Sequence, residues 1–194
     1  MIKPTYQVET KQRSNGFKTL PPVGAYEAEI IDVRTEEQFD HTVIMLRLEI
    51  TEGEFKGRYM EVYKDQDEKF GNAKYKGVFR LIVPNDNDQP WQKTGFESNL
   101  WAVEQSNAGY KWDWDENKLK GKKVGINVRK YLYTYNDIDR ETTEIGQFEP
   151  IQFVKEGKCL TLRPRDKRKD KDAPADSTDG KEFTDVSKEV SVPW

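Results

Sequence analysis

Between Lys122 and Tyr135 the aliphatic side chains fall on even positions and the polar and aromatic ones mostly on odd positions, with Lys122, Lys130 and Thr134 as the even-numbered exceptions. The even positions Val124, Ile126, Val128 and Leu132 are aliphatic. The odd positions are Lys123, Gly125, Asn127, Arg129, Tyr131, Tyr133 and Tyr135. A period of two sustained this long is strand spacing, because successive Cβ atoms of a strand point to opposite sides, whereas a helix repeats every 3.6 residues. One face of this strand belongs in a core. The other carries three tyrosines and two cations toward whatever lies outside. A chain organised around such a segment folds as a mainly β domain.

The rest of the core follows the same period. Gly24 to Arg34 reads as a first strand with Tyr26, Ala28 and Ile30 on one side, and the adjacent Ile30-Ile31 pair followed by Val33 predicts a bulge. His41 to Thr51 is a second, with Ile44, Leu46, Leu48 and Ile50 inward and Arg47 and Glu49 outward. After the turn Glu52 to Gly57, Arg58 to Lys64 reads as a third strand with Met60 and Val62 inward and Tyr59 and Tyr63 on its opposite face. Gly77 to Val83 is a short extra strand ended by Pro84. Thr94 and Glu97 have capping-box spacing, and Phe96, Leu100 and Val103 continue a helical stripe that stops near Asn107-Ala108-Gly109. A loop from Asn136 to Thr142 leads to a last strand, Thr143 to Val154, in which Pro150 marks an edge or a break. Strands, then one helix, then two strands is an order that suits a five-stranded OB-fold barrel with its helix between strands 3 and 4. It also suits other α+β domains.

Composition divides the 194 residues. Residues 1–20, punctuated by Gly16 and followed by Pro21-Pro22, read as an N-terminal extension, and 21–162 as the folded domain. Residues 163–194 hold little that could offset the entropy of ordering and read as a disordered tail. Its charge is sorted: residues 163–171 carry six basic and two acidic side chains, residues 172–194 two basic and six acidic. The acidic part ends in Val192-Pro193-Trp194, and a large apolar tip on a polar tail predicts a partner-binding anchor. No apolar run reaches the roughly 18 to 20 residues of a membrane span, and Met1 to Leu20 lacks the apolar stretch of a secretory leader. One cysteine (Cys159) excludes an internal disulfide, and with one histidine (His41) no His/Cys zinc cluster forms. The expected compartment is a reducing cytoplasm.

The odd face of Lys122–Tyr135 carries the functional reading. Flat rings between cations suit a single-stranded nucleic acid: bases stack on aromatic faces at roughly 1–3 kcal/mol each, and cations neutralise phosphates. Tyr131, Tyr133 and Tyr135 are the candidate stacking rings, with Arg129 and Lys123 as phosphate contacts. Tyr59 and Tyr63, with Lys56 and Arg58, extend the surface if the third strand lies alongside. Tyr75, within the Lys69 to Lys76 loop, and Arg80 add the same mixture. The formal net charge of −3 requires that binding come from a local stripe rather than from the overall field. Enzyme motifs are missing: there is no G-x-S-x-G and no phosphate loop, and His41 has no evident nucleophile partner. No catalytic residue and no cofactor is expected. Two rival readings stand beside this one. The tyrosine face could instead be the hot spot of a protein-interaction module that binds a host enzyme, and Asp113 and Asp115 could hold Mg²⁺ in a metal-dependent nuclease.

Four segments carry a family resemblance: Val23-Gly24-Ala25-Tyr26, Ile50 to Gly57, Gly77-Val78-Phe79-Arg80-Leu81 and Ser106 to Asp113. Together they resemble the phage and prophage single-stranded DNA-binding proteins of Gram-positive bacteria, over about residues 17–135. The resemblance implies an OB-fold protein that coats single-stranded DNA in phage replication and recombination, without catalysis or cofactor, in the cytoplasm of a bacterial host cell. The tail is similar to those of bacterial single-stranded DNA-binding proteins, which are acidic, end in Pro-Phe and recruit replication and repair enzymes. Here Pro193-Trp194 would be the tip and Asp185 and Glu189 the nearby acids, although Lys188 interrupts them. The resemblance leaves open whether the protein is a homo-oligomer.

Overall fold

The computed structural model describes residues 18–38 and 40–168. In chain order these form β1 (Gly24–Gln38), β2 (His41–Ile50), α1 (Arg58–Phe70), β3 (Val78–Ile82), α2 (Pro90–Ser106), a 3-10 turn (Glu116–Leu119), β4 (Lys123–Tyr135), β5 (Ile138–Glu149), α3 (Ile151–Lys155) and β6 (Arg165–Lys167). The strands make one mixed, six-stranded sheet in the order β3-β2-β1-β4-β5, with β6 added in parallel beside β4. The mainly β expectation holds, but the sheet is open: β3 and β5 are its edges and do not pair. They are brought together only through side chains, Phe79 of β3 and Phe148 of β5 having ring centroids 4.4 Å apart.

The core faces follow strand parity. Ile44, Leu46, Leu48 and Ile50 of β2, and Val124, Ile126 and Val128 of β4, are all buried. The register of β1 against β2 shifts between Ile30 and Asp32, where the Ile30-Ile31 pair predicts it. Phe96, Leu100 and Val103 bury the stripe of α2. That helix begins a turn earlier than its Thr94-Glu97 signal suggests. Pro90 is its first residue, and Gln89 and Gln92 form a reciprocal capping box at its N-terminus.

Two sequence expectations are overturned. Arg58–Phe70 is a helix, not a strand, and the third strand is Val78–Ile82. Two local causes fix it. Gly57 turns the chain at φ 71°, and the Glu49 carboxylate on β2 accepts the helix's otherwise unpaired Tyr59 and Met60 N–H groups at 3.1 and 2.7 Å. Tyr59 and Val62 are buried at helical spacing, and Asp65 pairs with Lys69 one turn on at 2.8 Å. Second, Asn136 to Thr142 is not a loop. Tyr135 pairs with Ile138, so β4 and β5 are joined by the two residues Asn136 and Asp137. Both have positive φ, 50° and 56°, as a type I′ hairpin turn requires. β5 therefore starts five residues earlier than expected and ends at Glu149, where Pro150 opens α3. Beyond Leu162 the described chain continues to β6, which pairs with Tyr131–Tyr133. At the other end Leu20 packs on the core and the Pro21 carbonyl accepts from Thr143 Oγ1 at 2.8 Å, so the domain starts slightly before residue 21.

Candidate nucleic-acid interface

β1 and β4 pair only as far as Gly24 opposite Val128. Beyond that point Arg129–Tyr135 and its partner Ile138–Glu144 run on as a two-stranded arm, roughly 20 Å long at about 3.4 Å per residue. Cross-strand partners share a face, so the register assigns every side chain on the arm. One face carries Arg129, Tyr131, Tyr133 and Tyr135 from β4 and Glu144, Thr142, Arg140 and Ile138 from β5. β6 contributes Arg165 opposite Tyr131 and Lys167 opposite Tyr133. That is four cations to one carboxylate, around three rings. The reverse face carries Lys130, Leu132 and Thr134 with Thr143, Glu141, Asp139 and Asp166, the last bound by Arg168, so there two cations meet three carboxylates. Strand parity has sorted the charge of a protein with a net −3 into a basic, ringed side and an acidic side.

The rings are arranged as a column rather than a row. Tyr131 and Tyr133 stack with centroids 5.5 Å apart and planes 15° from parallel. The Arg165 guanidinium lies over Tyr131 at 5.6 Å, and that of Arg140 over Tyr135 at 5.5 Å. Tyr135 is 57% exposed. Tyr131 and Tyr133 are half-buried. Glu144 is held between two cations, 2.8 Å from Arg129 and 3.6 Å from Arg165, and so fixes both guanidinia against the arm.

The face is not continuous along all of β4. Its first half is covered by the chain's own continuation. Val154 of α3 lies so close over Gly125 that a Cβ there would come within 2.6 Å of it. The buried Asn127 donates from Nδ2 to the Leu160 carbonyl at 2.6 Å, and Leu162 sits over Gly146 in the same manner. Lys123, exposed at the start of β4, is therefore parted from the tyrosines by this covering segment.

The remaining sequence-predicted residues lie elsewhere. Tyr59 and Tyr75 are buried, at 3% and 6% exposure, and present no ring to a ligand. With Tyr63 they form a cluster over β2, Tyr75 lying 6.3 Å from Tyr59 and 6.1 Å from Tyr63, with Arg47 over the Tyr75 ring at 4.4 Å. Tyr75 Oη donates to the Leu48 carbonyl at 2.8 Å and to Glu49 at 3.0 Å. Burial and the nearby Glu49 charge hold both the Tyr59 and Tyr75 hydroxyls well above the usual tyrosine range. Arg58 lies over Phe55 at 5.2 Å and near Glu61 at 3.5 Å. Lys56 is exposed on the turn before α1, and Arg80 is exposed on β3. β1 separates β2 from β4, so this group does not extend the arm's surface. Val192, Pro193 and Trp194 lie outside the described residues.

The carboxylates considered for Mg²⁺ turn toward a lysine. Lys118 Nζ contacts Asp113 and lies 3.7 Å from Asp115, and among the described residues no group of three or more His, Cys, Asp or Glu side chains is placed to hold a metal. His41 is satisfied by Asp88, 3.0 Å from its Nε2. Among the described helices none is long and apolar enough to cross a membrane.

Arg140, Arg165 and Lys167 are the site residues that the sequence reading misses. Arg140 was legible in principle: reading Asn136-Asp137 as a two-residue turn puts it opposite Tyr133. No protein-family model matches the chain, and no curated protein matches it either.

Proposed function

We propose that the chain is a single-stranded DNA-binding protein and that the arm's basic face is its binding surface. The observation that carries this reading is the sorting of Tyr131, Tyr133, Tyr135, Arg129, Arg140, Arg165 and Lys167 onto one face of β4–β5–β6 while the acids occupy the other. Bases extend the Tyr131–Tyr133 column and stack on Tyr135, and Arg129 and Arg140 of the arm itself neutralise phosphates. The acidic reverse face repels a second strand and gives the bound strand a single side.

The strand order supports an OB-fold as the parent architecture, with α2 between β3 and β4 and the edges β3 and β5 left unpaired but in contact through Phe79 and Phe148. In such barrels the face of strands 2 and 3 and the loops between strands 1 and 2 and strands 4 and 5 are the usual nucleic-acid surfaces. Here α1 and Tyr75 occupy the outward side of β2 at Arg47 and Glu49. That obstructs the β2 face, and of the two loops it is the elongated β4–β5 connection that carries the rings and cations. In this reading the protein acts by coating single strands in phage replication and recombination in a bacterial cytoplasm, without catalysis or cofactor, and its Val192-Pro193-Trp194 end recruits partner enzymes.

The test is a titration with a pyrimidine oligonucleotide of about 30 nucleotides and with the matching duplex, followed by tyrosine and tryptophan quenching. Saturable binding to the single strand, weakened by salt with a log–log slope of about −0.7 per phosphate contact, and little binding to duplex is the expected result. Absence of single-strand binding at low salt overturns the reading and makes the tyrosine face a protein interface.

A further inference from the structure

From Val154 of α3 onward the chain runs back over the sheet. It crosses the odd face of β4, touching the sheet at three successive positions, and then turns into an edge strand. Each contact depends on a small or polar residue beneath it. Gly125 admits Val154, Asn127 donates to the Leu160 carbonyl, and Gly146 leaves the space that Leu162 fills. Gly146 is also the extra residue of a bulge, since the β4–β5 register shifts between Asn127 and Val128 while β5 passes from Gln147 to Ile145. These contacts are all on the body of the sheet. Their effect appears further along, where Arg165 and Lys167 are delivered in parallel register beside Tyr131 and Tyr133.

We infer that residues 158–168 are a strap that completes the nucleic-acid site, with Arg165 and Lys167 as phosphate-binding residues and Asn127 and Gly146 as the positioning residues that set where they sit. The inference rests on the single-strand reading of the arm. Three points support it. A two-stranded ribbon alone is marginal in water, and a third strand stabilises it; β6 supplies that strand beside the stacked rings. The parity of β6 sends its two cations to the ringed face and its carboxylate, Asp166, to the acidic one, so β6 continues the charge sorting of the arm. And Asp166 is bound by Arg168 at 2.5 Å and again at 2.9 Å, which occupies the one acid of the strand on its far side.

The experiment compares the full chain with Arg165→Gln/Lys167→Gln, which keeps the aliphatic stems against the sheet, and with Lys130→Gln, which removes a cation from the reverse face. Binding of a fluorescent thymidine oligonucleotide is measured from low to high salt. The double variant is expected to bind at least tenfold more weakly at low salt, and its log–log salt slope to be shallower by about 1.4, corresponding to two phosphate contacts. Lys130→Gln is expected to keep the slope of the unaltered chain. Asn127→Ala, with both cations present, is expected to move the slope in the same direction as the double variant while leaving the arm's tyrosines intact. If the unaltered chain binds and the double variant keeps its slope, the strap is structural only and the arm reading stands. If the unaltered chain shows no single-strand binding, both fall together.

Discussion

β2 and β4 both turn a polar, alternating face away from the core, and the two faces have opposite fates. On β2 the outward Glu49 caps α1, and the outward Arg47 lies on the Tyr75 ring. The residues there are committed to the fold. On β4 the outward face is covered as far as Asn127 and then emerges, with Arg129, Tyr131, Tyr133 and Tyr135 on an arm that reaches past β1. Alternation tells which side of a strand a residue takes. It does not tell whether another element will come to lie on that side. The difference between a structural tyrosine such as Tyr75 and a surface tyrosine such as Tyr135 is set by a third element, far away in sequence.

The contrast can be broken from either side. The largest effect is expected on the β2 side. A Cβ at Gly77 would come within 2.4 Å of the Leu48 carbonyl oxygen and 2.7 Å of the Tyr59 ring, so Gly77→Ala must move backbone or the buried ring. It is expected to cost about 3 kcal/mol in urea unfolding while leaving oligonucleotide affinity unchanged under conditions where the variant is folded. A drop in affinity of the folded variant would show that the tyrosine cluster over β2 belongs to the binding surface after all. The next effect runs the other way. Tyr131→Ala with Tyr133→Ala is expected to lower affinity for single strands at least tenfold, because two stacking surfaces are lost, with a much smaller shift of the urea midpoint than Gly77→Ala produces. Unchanged affinity in the folded double variant removes the column from the site.

The smallest effect is a matter of acid titration on β6. Hydrogen bonds from the Arg168 side chain and backbone hold the exposed Asp166 carboxyl down from 3.8 to about 2. A carboxyl lowered in the folded state contributes stability above its unfolded value, lost as pH falls through the folded one. The strap's contribution from this pair should therefore be complete above about pH 4 and disappear toward pH 2. Carboxyl chemical shifts should show a midpoint near 2 in the unaltered chain and a return toward the ordinary value in Arg168→Ala. An ordinary midpoint in both would mean the clasp does not persist in solution.

Much of the sheet was legible because its strands carry alternation: Leu46, Leu48 and Ile50, and Val124, Ile126 and Val128, face the core as their parity requires, although Val43 and Met45 on the other parity of β2 are buried as well. The bulge in β1 was legible because two adjacent isoleucines cannot both point inward without one. Arg58–Phe70 was not, because Met60 and Val62 satisfy a period of two over so short a stretch while Tyr59, Val62 and Tyr63 satisfy a helical one equally well. What decides between them is Glu49, a β2 residue whose carboxylate meets the helix N-terminus only once both are in place. The tyrosines of β4 were found from sequence, and Arg165 and Lys167 were not assigned to the site, because a basic run in a polar segment carries no mark of the strand it will pair with. The approach of α3 to Gly125 and of the strap to Gly146 is equally silent: a glycine in a strand reports that something approaches, not what.

The two-residue turn at Asn136-Asp137 has a consequence for how this chain can vary. It fixes the pairing of β4 with β5 by count, so the arm's two faces depend on arithmetic as much as on chemistry. One residue added to or lost from the tip so as to slip the pairing would send every side chain of one strand to the other side, mixing Arg140 with the acids and setting Asp139 and Glu141 beside the tyrosines. Length changes of two residues would preserve the sorting and only lengthen or shorten the arm. Tolerated insertions and deletions in this hairpin should therefore come in pairs, a parity constraint that most surface turns escape.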